Sequence, residues 1–234
     1  GTNGRIEVFE KTSIQFAQWD ITSSCNLQCR HCRAWKLPKR EELSTQDGIE
    51  LINQLKDLNI KFLNLSGGEP FLRKDFFILL KYCQDFDLVT ITTNGTLLDN
   101  KNIKKLKNFK NIKISLSLDG LKSFHDKFRG KEGTFKKIIS SIRFISRTNI
   151  PLSIKFTLTN LNIDEAIKTF NLVSQYKIEN FNIRSVLPLG KAGKFLMPSS
   201  EQYKKVIEKL ISASKKNKIP VISGDPILFP LFPQ

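Results

Sequence analysis

The sequence predicts an α/β fold, a partial (βα)6 TIM-like barrel of parallel strands. Short β-rich segments alternate with helical segments along nearly the whole chain. Most of the strand segments are continuously apolar or β-branched, which is typical of strands covered on both faces. Serial strand–helix units favour a parallel sheet, and right-handed crossovers curl it. A closed eight-stranded barrel needs about 250 residues, and the chain has 234, so we expect an incomplete barrel.

Six strands are predicted, in chain order. They are Ile14–Ile21, Phe62–Leu65, Leu88–Thr92, Ile112–Leu116, Leu152–Leu158 and Phe181–Arg184. A later segment, Ile219–Ile222, is compatible with either a seventh strand or a connector.

Helical segments lie between these strands. Two of them have apolar stripes at helical spacing, formed by Ile49, Ile52, Leu55 and Leu58 and by Ile138, Ile142 and Ile145. Ser44 is expected to cap the first helix. Ser199, followed three residues later by Gln202, resembles a capping box for the last long helix.

Three regions are expected along the chain. Residues 1–13 are interpreted as leader or added residues, 14–216 as the partial barrel, and 217–234 as the start of a C-terminal extension or linker. The segment Asp225–Pro233 is rich in proline and apolar residues, which suggests that a further segment covers it.

The formal net charge of +16 could attract nucleic acid, an acidic peptide or an anionic cofactor. The surplus is mostly lysine scattered through amphipathic segments such as Lys104–Lys113 and Lys204–Lys218, which is typical of a solvated surface. No apolar stretch approaches the roughly 20 residues needed to cross a bilayer, and the N-terminus has no signal pattern. We therefore expect a cytoplasmic protein that binds neither membrane nor nucleic acid.

Three cysteines, Cys25, Cys29 and Cys32, lie within eight residues on a loop after the first strand. Clustered thiolates select an iron–sulfur cluster, zinc or Cu(I). Structural zinc usually takes four ligands. His31 could be the fourth, but it lies between two of the cysteines and would bend the chain awkwardly. Cys83 is too remote to be assigned by spacing, and we interpret it as a small buried hydrophobe. A cubane cluster held by three cysteines would leave one iron open to a small molecule.

The C-x₃-C-x₂-C spacing, with an aromatic-type residue before the last cysteine, resembles the signature of the radical S-adenosylmethionine (SAM) superfamily. The resemblance implies a [4Fe-4S] cluster on Cys25, Cys29 and Cys32, with SAM bound at the open iron. It also implies that His31 contacts the SAM adenine. A loop histidine packed against the barrel rim is the alternative.

Turn motifs follow several of the predicted strands. They are Ser66–Pro70, Thr93–Thr96, Ser117–Gly120 and Val186–Gly193. Singly, such Gly-Gly, Asn-Gly and Asp-Gly pairs are common turn formers. Jointly they occupy the carboxyl ends of successive parallel strands, where barrel active sites are built. The resemblance spans roughly residues 14 to 193.

By this resemblance, the turn residues bind the cofactor, and no catalytic side chain is implied. The motif formed by Gly67, Gly68, Glu69 and Pro70 would hold the SAM amino group. In the next two turns, Asn94, Ser117 and Asp119 would contact the ribose and the carboxylate. Arg129 would bind the carboxylate, and Leu187 in the last loop would contact the adenine.

Three of the charged or titratable residues have simpler interpretations. For Arg129 the alternative is an exposed arginine flanking a helix. His125 is interpreted as a loop or helix-capping residue. Lys155 is interpreted as a surface lysine at a strand end, with the barrel mouth as the alternative.

The resemblance implies reductive cleavage of SAM and hydrogen abstraction by the 5′-deoxyadenosyl radical, with flavodoxin or ferredoxin as reductant. The runs Gln18–Thr22 and Leu187–Ala192 resemble the branch with a C-terminal SPASM or twitch extension, whose further cysteines do not occur here beyond Cys83. That branch modifies peptides, matures enzymes or trims tetrapyrroles. We expect a peptide or protein substrate. Tetrapyrrole modification, RNA modification and a non-enzymatic metal-binding module are the alternatives.

Overall fold

A seven-stranded parallel sheet, with its strands in sequence order, forms the centre of the protein. The computed structural model describes residues 14–32, 41–187 and 195–223. The strands are β1 (Phe16–Thr22), β2 (Phe62–Gly67), β3 (Leu88–Thr93), β4 (Ile112–Ser117), β5 (Leu152–Leu158), β6 (Asn180–Ser185) and β7 (Val221–Ile222). The predicted α/β fold class is confirmed.

The six predicted strands are all present, with ends that differ by at most two residues. The two residues of β7 pair with β6, so the segment after the last long helix is a short strand rather than a connector. Within the described residues β7 does not pair with β1, and the barrel is therefore open on one side.

Helices connect most of the strands. They are α1 (Thr45–Asp57), α2 (Phe76–Tyr82), α3 (Asn100–Leu106), α4 (Lys122–Arg129), α5 (Thr134–Ile145), α6 (Ile163–Val173) and α7 (Ser200–Asn217), with a short 3₁₀ turn at Pro70–Leu72. None of the helices in the described ranges is long and apolar enough to cross a membrane.

The predicted helix starts are confirmed. Ser44 accepts a hydrogen bond from the backbone N–H of Asp47, and Ser199 and Gln202 form the reciprocal capping box. The prediction that Leu58 belongs to the apolar stripe of α1 is wrong, because its side chain is 69% exposed. The helix ends at Asp57, so Leu58 is a cap residue that turns away from the stripe.

The strands are apolar mainly on one face, so the expectation of apolar strand residues on both faces is wrong. In β5, Ile154 and Phe156 belong to the buried apolar core. Ser153 and Lys155 point to the opposite, concave face, where they line a cavity of about 280 Å³. All seven strands contribute to this cavity, called the lumen below. Lys155 lies in the middle of a strand within the lumen, so its interpretation as a surface lysine is also wrong.

The division into three regions stays a prediction. Residues 1–13 lie outside the described part of the chain, as do residues 224–234, which include the proline-rich segment Asp225–Pro233.

Candidate functional site

The loop after β1 carries the three clustered cysteines, Cys25, Cys29 and Cys32. Cys29 is buried, and Cys25 and Cys32 are half-buried. The backbone N–H of Cys32 donates to the carbonyl of Cys29 at 3.1 Å, which turns the loop back on itself. The N–H of Arg30 donates to the carbonyl of Phe128 at 2.9 Å and fastens the loop to α4.

Three cysteines on one loop are a donor set that suits an iron–sulfur cluster. In the described ranges, no three His, Cys, Asp or Glu side chains are close enough together to hold one metal ion. A cubane cluster binds each thiolate to a different iron, so its ligands stand farther apart than those of mononuclear zinc. Burial raises the pKa of the Cys25 and Cys29 thiols, so metal binding would be what makes them thiolates.

The turn after β2 packs directly against the cysteine loop. The N–H of Gly68 donates to the carbonyl of Thr22 at 2.7 Å, and the N–H of Glu69 donates to the carbonyl of Ser24 at 2.8 Å. A Cβ on Gly68 would overlap the Ser24 carbonyl, and Gly67 has φ +117°. Both glycines thereby bring the backbone of this turn close to the cysteine loop.

Glu69 lies fully buried between this turn and the end of β3. Its carboxylate accepts hydrogen bonds from Thr93 Oγ1 at 2.7 Å, from the N–H of Asn94 at 2.8 Å and from the N–H of Phe71 at 3.3 Å. Burial raises the pKa of Glu69 to about 7, against the effect of these donors. The carboxylate thus joins two strand ends. Its predicted contact with the SAM amino group stays a prediction, as does that of Pro70, which begins the 3₁₀ turn.

Asn94 links the end of β3 to the cysteine loop. Its Nδ2 donates to Asn26 Oδ1 at 2.9 Å and lies 3.9 Å from Cys25 Sγ, within the range of a weak N–H···S bond. Asn26 in turn donates to Thr96 Oγ1 at 2.9 Å. The predicted contact of Asn94 with SAM stays a prediction.

Arg129 lies beside Cys29 and is almost completely buried, so the alternative of an exposed arginine is wrong. Its Nη1 donates to Cys29 Sγ at 3.6 Å, and its Nη2 lies 2.5 Å from Asp119 Oδ2. Burial alone would raise the pKa of Asp119, but the Arg129 guanidinium holds it below its ordinary value. Asp119 also accepts from the N–H of Thr157 at 2.8 Å. The roles of Asp119 and Arg129 towards SAM stay predictions.

His31 stacks on Phe128 of α4, with ring centroids 4.7 Å apart and an interplanar angle of 18°. Burial lowers the pKa of His31 to about 4, so the ring is neutral. Its Nδ1 is buried and has no hydrogen-bond partner in the described part of the chain. This packing matches a loop histidine against the barrel rim. Contact with the SAM adenine stays a prediction.

The remaining predicted cofactor residues lie at the same end of the sheet. Ser117 ends β4, half-buried, and pairs with Lys155 of β5. Leu187 follows β6 and is 66% exposed. The rest of its loop, residues 188–194, lies outside the described part of the chain.

Two predictions away from the cysteine loop have opposite outcomes. Cys83 is 1% exposed and belongs to the apolar core, as predicted. His125 is not a loop or capping residue, because it is completely buried within α4. Its Nδ1 accepts the backbone N–H of Asp119 at 3.2 Å, so it supports the turn that carries Asp119.

Sequence reasoning missed Arg73, which holds the end of β1 beside α1. Its guanidinium donates to the carbonyls of Ile21 at 2.7 Å and Leu43 at 2.8 Å and pairs with Asp75 at 2.8 Å. The segments it ties together flank the cysteine loop. Its position three residues after Pro70 is the only signal in the sequence, and that spacing alone indicates no role.

Known proteins resemble this chain in sequence. The family model described as the radical SAM superfamily matches residues 19–173. An AdoMet-dependent heme synthase of Methanosarcina barkeri is 31% identical over 205 residues, which cover 86% of this chain and 59% of that protein. The sporulation killing factor maturation protein SkfB of Bacillus subtilis is 29% identical over 174 residues, which cover 74% of this chain and 42% of SkfB.

Solved structures share the fold. The structure of Streptococcus suis SuiB bound to S-adenosylmethionine superposes with a TM-score of 0.82 at 18% identity, covering 94% of this chain and 53% of SuiB. The chain thus spans about half the length of these proteins. The family match, the three-cysteine loop and the fold agree, and this chain belongs to the radical SAM superfamily, whose members use a [4Fe-4S] cluster and SAM.

Proposed function

We propose that this protein cleaves SAM reductively at a [4Fe-4S] cluster held by Cys25, Cys29 and Cys32, and that it takes a hydrogen atom from a peptide or protein substrate. The observation that carries the proposal is the packing of the cysteine loop against the Gly67–Gly68 turn. Three thiols and the strand-end turns thereby share one edge of the sheet.

The residues around the loop fix the thiols in place. Gly68 and Glu69 hold its first half through backbone hydrogen bonds, and Arg30 holds its second half to α4. Arg129 places a positive charge next to the Cys29 sulfur, which favours the thiolate. When bound, the cluster supplies the electron that breaks the SAM sulfonium bond. The protein's part is to orient both cofactors and the substrate.

The open barrel favours a large substrate. Because β1 and β7 do not pair within the described residues, the lumen is not closed by strands on that side. A relative named for maturing a sporulation killing factor, SkfB, is 29% identical to this chain. Both points support a peptide or protein as the molecule that gives up the hydrogen atom.

Anaerobic reconstitution with iron and sulfide tests the cofactor chemistry. With SAM and dithionite, we expect 5′-deoxyadenosine to form, and Cys29→Ala to abolish it. Cys83→Ala is the matched control, because Cys83 is a buried thiol far from the loop in sequence and packed in the apolar core. Full product formation by Cys29→Ala, or equal loss in Cys83→Ala, would rule out the proposed ligands.

A tetrapyrrole is the second candidate substrate. The 31% identity to a heme synthase favours it, and so do the basic side chains in the lumen, because tetrapyrrole side chains carry carboxylates. If Fe-coproporphyrin III is modified in the presence of SAM and reductant, and its addition increases 5′-deoxyadenosine release, the tetrapyrrole assignment replaces the peptide.

A further inference from the structure

The lumen has an unusually polar lining for the interior of a small barrel, where apolar side chains ordinarily fill the space. Its cavity of about 280 Å³ is lined by asparagine, glutamine, serine and threonine together with Lys113, Lys155 and Arg184, and its two apolar lining residues are Phe16 and Ile222. These side chains occupy the inward positions of the strands, while the outward positions form the apolar core. The lumen is therefore built to hold polar atoms.

The three cations of the lumen are not equivalent. Lys113 is neutralised by an ion pair of 2.7 Å with Glu179. Within the described residues, neither Lys155 nor Arg184 has a carboxylate within ion-pairing distance. Two positive side chains thus face the lumen without an ion pair in the part of the chain described.

Lys155 and Arg184 are neighbours on adjacent strands. Lys155 pairs with Asn182, and Arg184 lies two residues further along β6, on the same face. Burial lowers the pKa of Lys155 most, followed by the positive charges of Arg184 and Arg129. The carboxylates of Asp119 and Asp20 act in the opposite direction, with smaller effects. Two like charges on adjacent strands repel each other, and a bound anion would relieve the repulsion.

Unpaired polar atoms lie next to the two cations. Ser153 precedes Lys155 by two residues on the same face and is 3% exposed. Its Oγ has no hydrogen-bond partner among the described residues, and neither does Oδ1 of Asn182. A buried hydroxyl without a partner costs free energy, and an oxygen-bearing ligand in the lumen would supply one.

We propose that Lys155 and Arg184 form a carboxylate-binding site in the lumen and that this site takes an acidic side chain of the peptide substrate. Arginine binds carboxylates in a two-point geometry, and lysine adds a second charge. Most of the predicted cofactor residues belong to the ends of β1 to β4, and Leu187 follows the end of β6, whereas this pair lies within β5 and β6. The proposal rests on the proposed peptide substrate and names the chemistry that recognises it.

Twin model peptides test the site directly. The probes are acetyl-Gly-Ala-Glu-Ala-Gly-amide and its glutamine twin, measured by ligand-observed NMR at low salt with the reconstituted protein and SAM. We expect the glutamate peptide to bind about tenfold more tightly, the effect of one hydrogen bond to a charged group. The double variant Lys155→Met with Arg184→Met should lose this preference. Lys113→Met should keep it, because that charge is already paired.

Three outcomes would overturn the site. The first is equal binding of the two peptides by the unmodified protein. The second is equal loss of preference in the Lys113→Met control, which would show a general positive field. The third is loss of SAM affinity in the double variant with the peptide preference intact, which would assign the cations to the SAM carboxylate.

A tetrapyrrole carboxylate is distinguished in the same experiment. If coproporphyrin III binds through the two cations while the glutamate and glutamine peptides bind with equal affinity, the peptide assignment is overturned. Release of 5′-deoxyadenosine is measured separately on the same samples. Its absence with intact peptide discrimination would overturn the proposed SAM chemistry alone, so the two failures are distinguishable.

Discussion

Arg129 and Asp119 form a buried ion pair, with Nη2 and Oδ2 2.5 Å apart, and the same guanidinium contacts the sulfur of Cys29. Arg129 reaches both partners because α4 follows the turn that carries Asp119, and the end of α4 is hydrogen-bonded to the cysteine loop through the Phe128 carbonyl. A strand end, a helix end and a thiol are thereby joined through one guanidinium.

Removing the acidic partner of this pair should destabilise the protein strongly. Asp119→Asn leaves a buried guanidinium without its counter-charge, and we expect the free energy of unfolding to fall by about 3–5 kcal/mol. Urea unfolding of the metal-free protein at pH 7 measures this. Asp85→Asn is the control, since it removes the 75%-exposed partner of Lys56 and should cost below about 1 kcal/mol. Similar losses in both variants would contradict the prediction.

The buried His125 should make stability depend on pH. Burial and then the charge of Arg129 lower its pKa from 6.5 to about 4, so the folded protein favours the neutral ring. Between these values the unfolded chain binds the extra proton, and stability is lost as the pH falls from 6.5 to 4. We expect His125→Gln to reduce this loss by about 3 kcal/mol, measured by urea unfolding at pH 7, 6, 5 and 4. Parallel pH curves for the two proteins would refute it.

Gly68 should be required for the cysteine loop to form its site. A Cβ there overlaps the Ser24 carbonyl, which is backbone and cannot rotate away. We expect Gly68→Ala to lower the iron bound after anaerobic reconstitution several-fold. Gly133→Ala is the control, because a Cβ there meets nothing within 4 Å and only the φ of +78° is strained. An iron content in Gly68→Ala equal to that of the control would show that the loop tolerates the displacement.

Arg73 should resist even a conservative replacement. Lysine keeps the charge but cannot reach the carbonyls of Ile21 and Leu43 and the Asp75 carboxylate at once. We expect Arg73→Lys to lower the free energy of unfolding by about 2–3 kcal/mol. Arg143→Lys, on the exposed face of α5, should change it by less than about 0.5 kcal/mol. Thermal and urea unfolding of both variants measures these changes. If the two variants lose the same free energy of unfolding, the three contacts of Arg73 do not stabilise the fold.

Local patterns predicted the strands, the helix caps and the cysteine site. The strands were predictable because each is a short β-rich run bounded by turn residues, and β5 was predicted with both ends correct. Ser44 and Ser199 were predictable because a cap depends on residues three apart in the chain. The spacing of Cys25, Cys29 and Cys32 confines them to one loop whatever the rest of the fold does.

Three interpretations were wrong for a common reason: Lys155 as a surface lysine, His125 as a loop or capping residue, and the exposed alternative for Arg129. Each concerns a polar residue whose burial depends on partners outside its local sequence pattern or on which face of the sheet it occupies. Arg129 is buried because Asp119 and Cys29 offer it an acidic and a sulfur partner. Lys155 points into the lumen because the outward positions of β5 are taken by Ile154 and Phe156.

The sequence by itself determined the order of the strands, the thiol loop and the family, because these depend on neighbouring residues and on turn chemistry at strand ends. Only the tertiary structure decided that the inner face of the sheet is polar, that Gly68 is needed for the contact of two loops, and that two cations share the lumen. The physical reason is that burial and charge pairing are set by distances between residues far apart in the chain, which the local pattern does not encode.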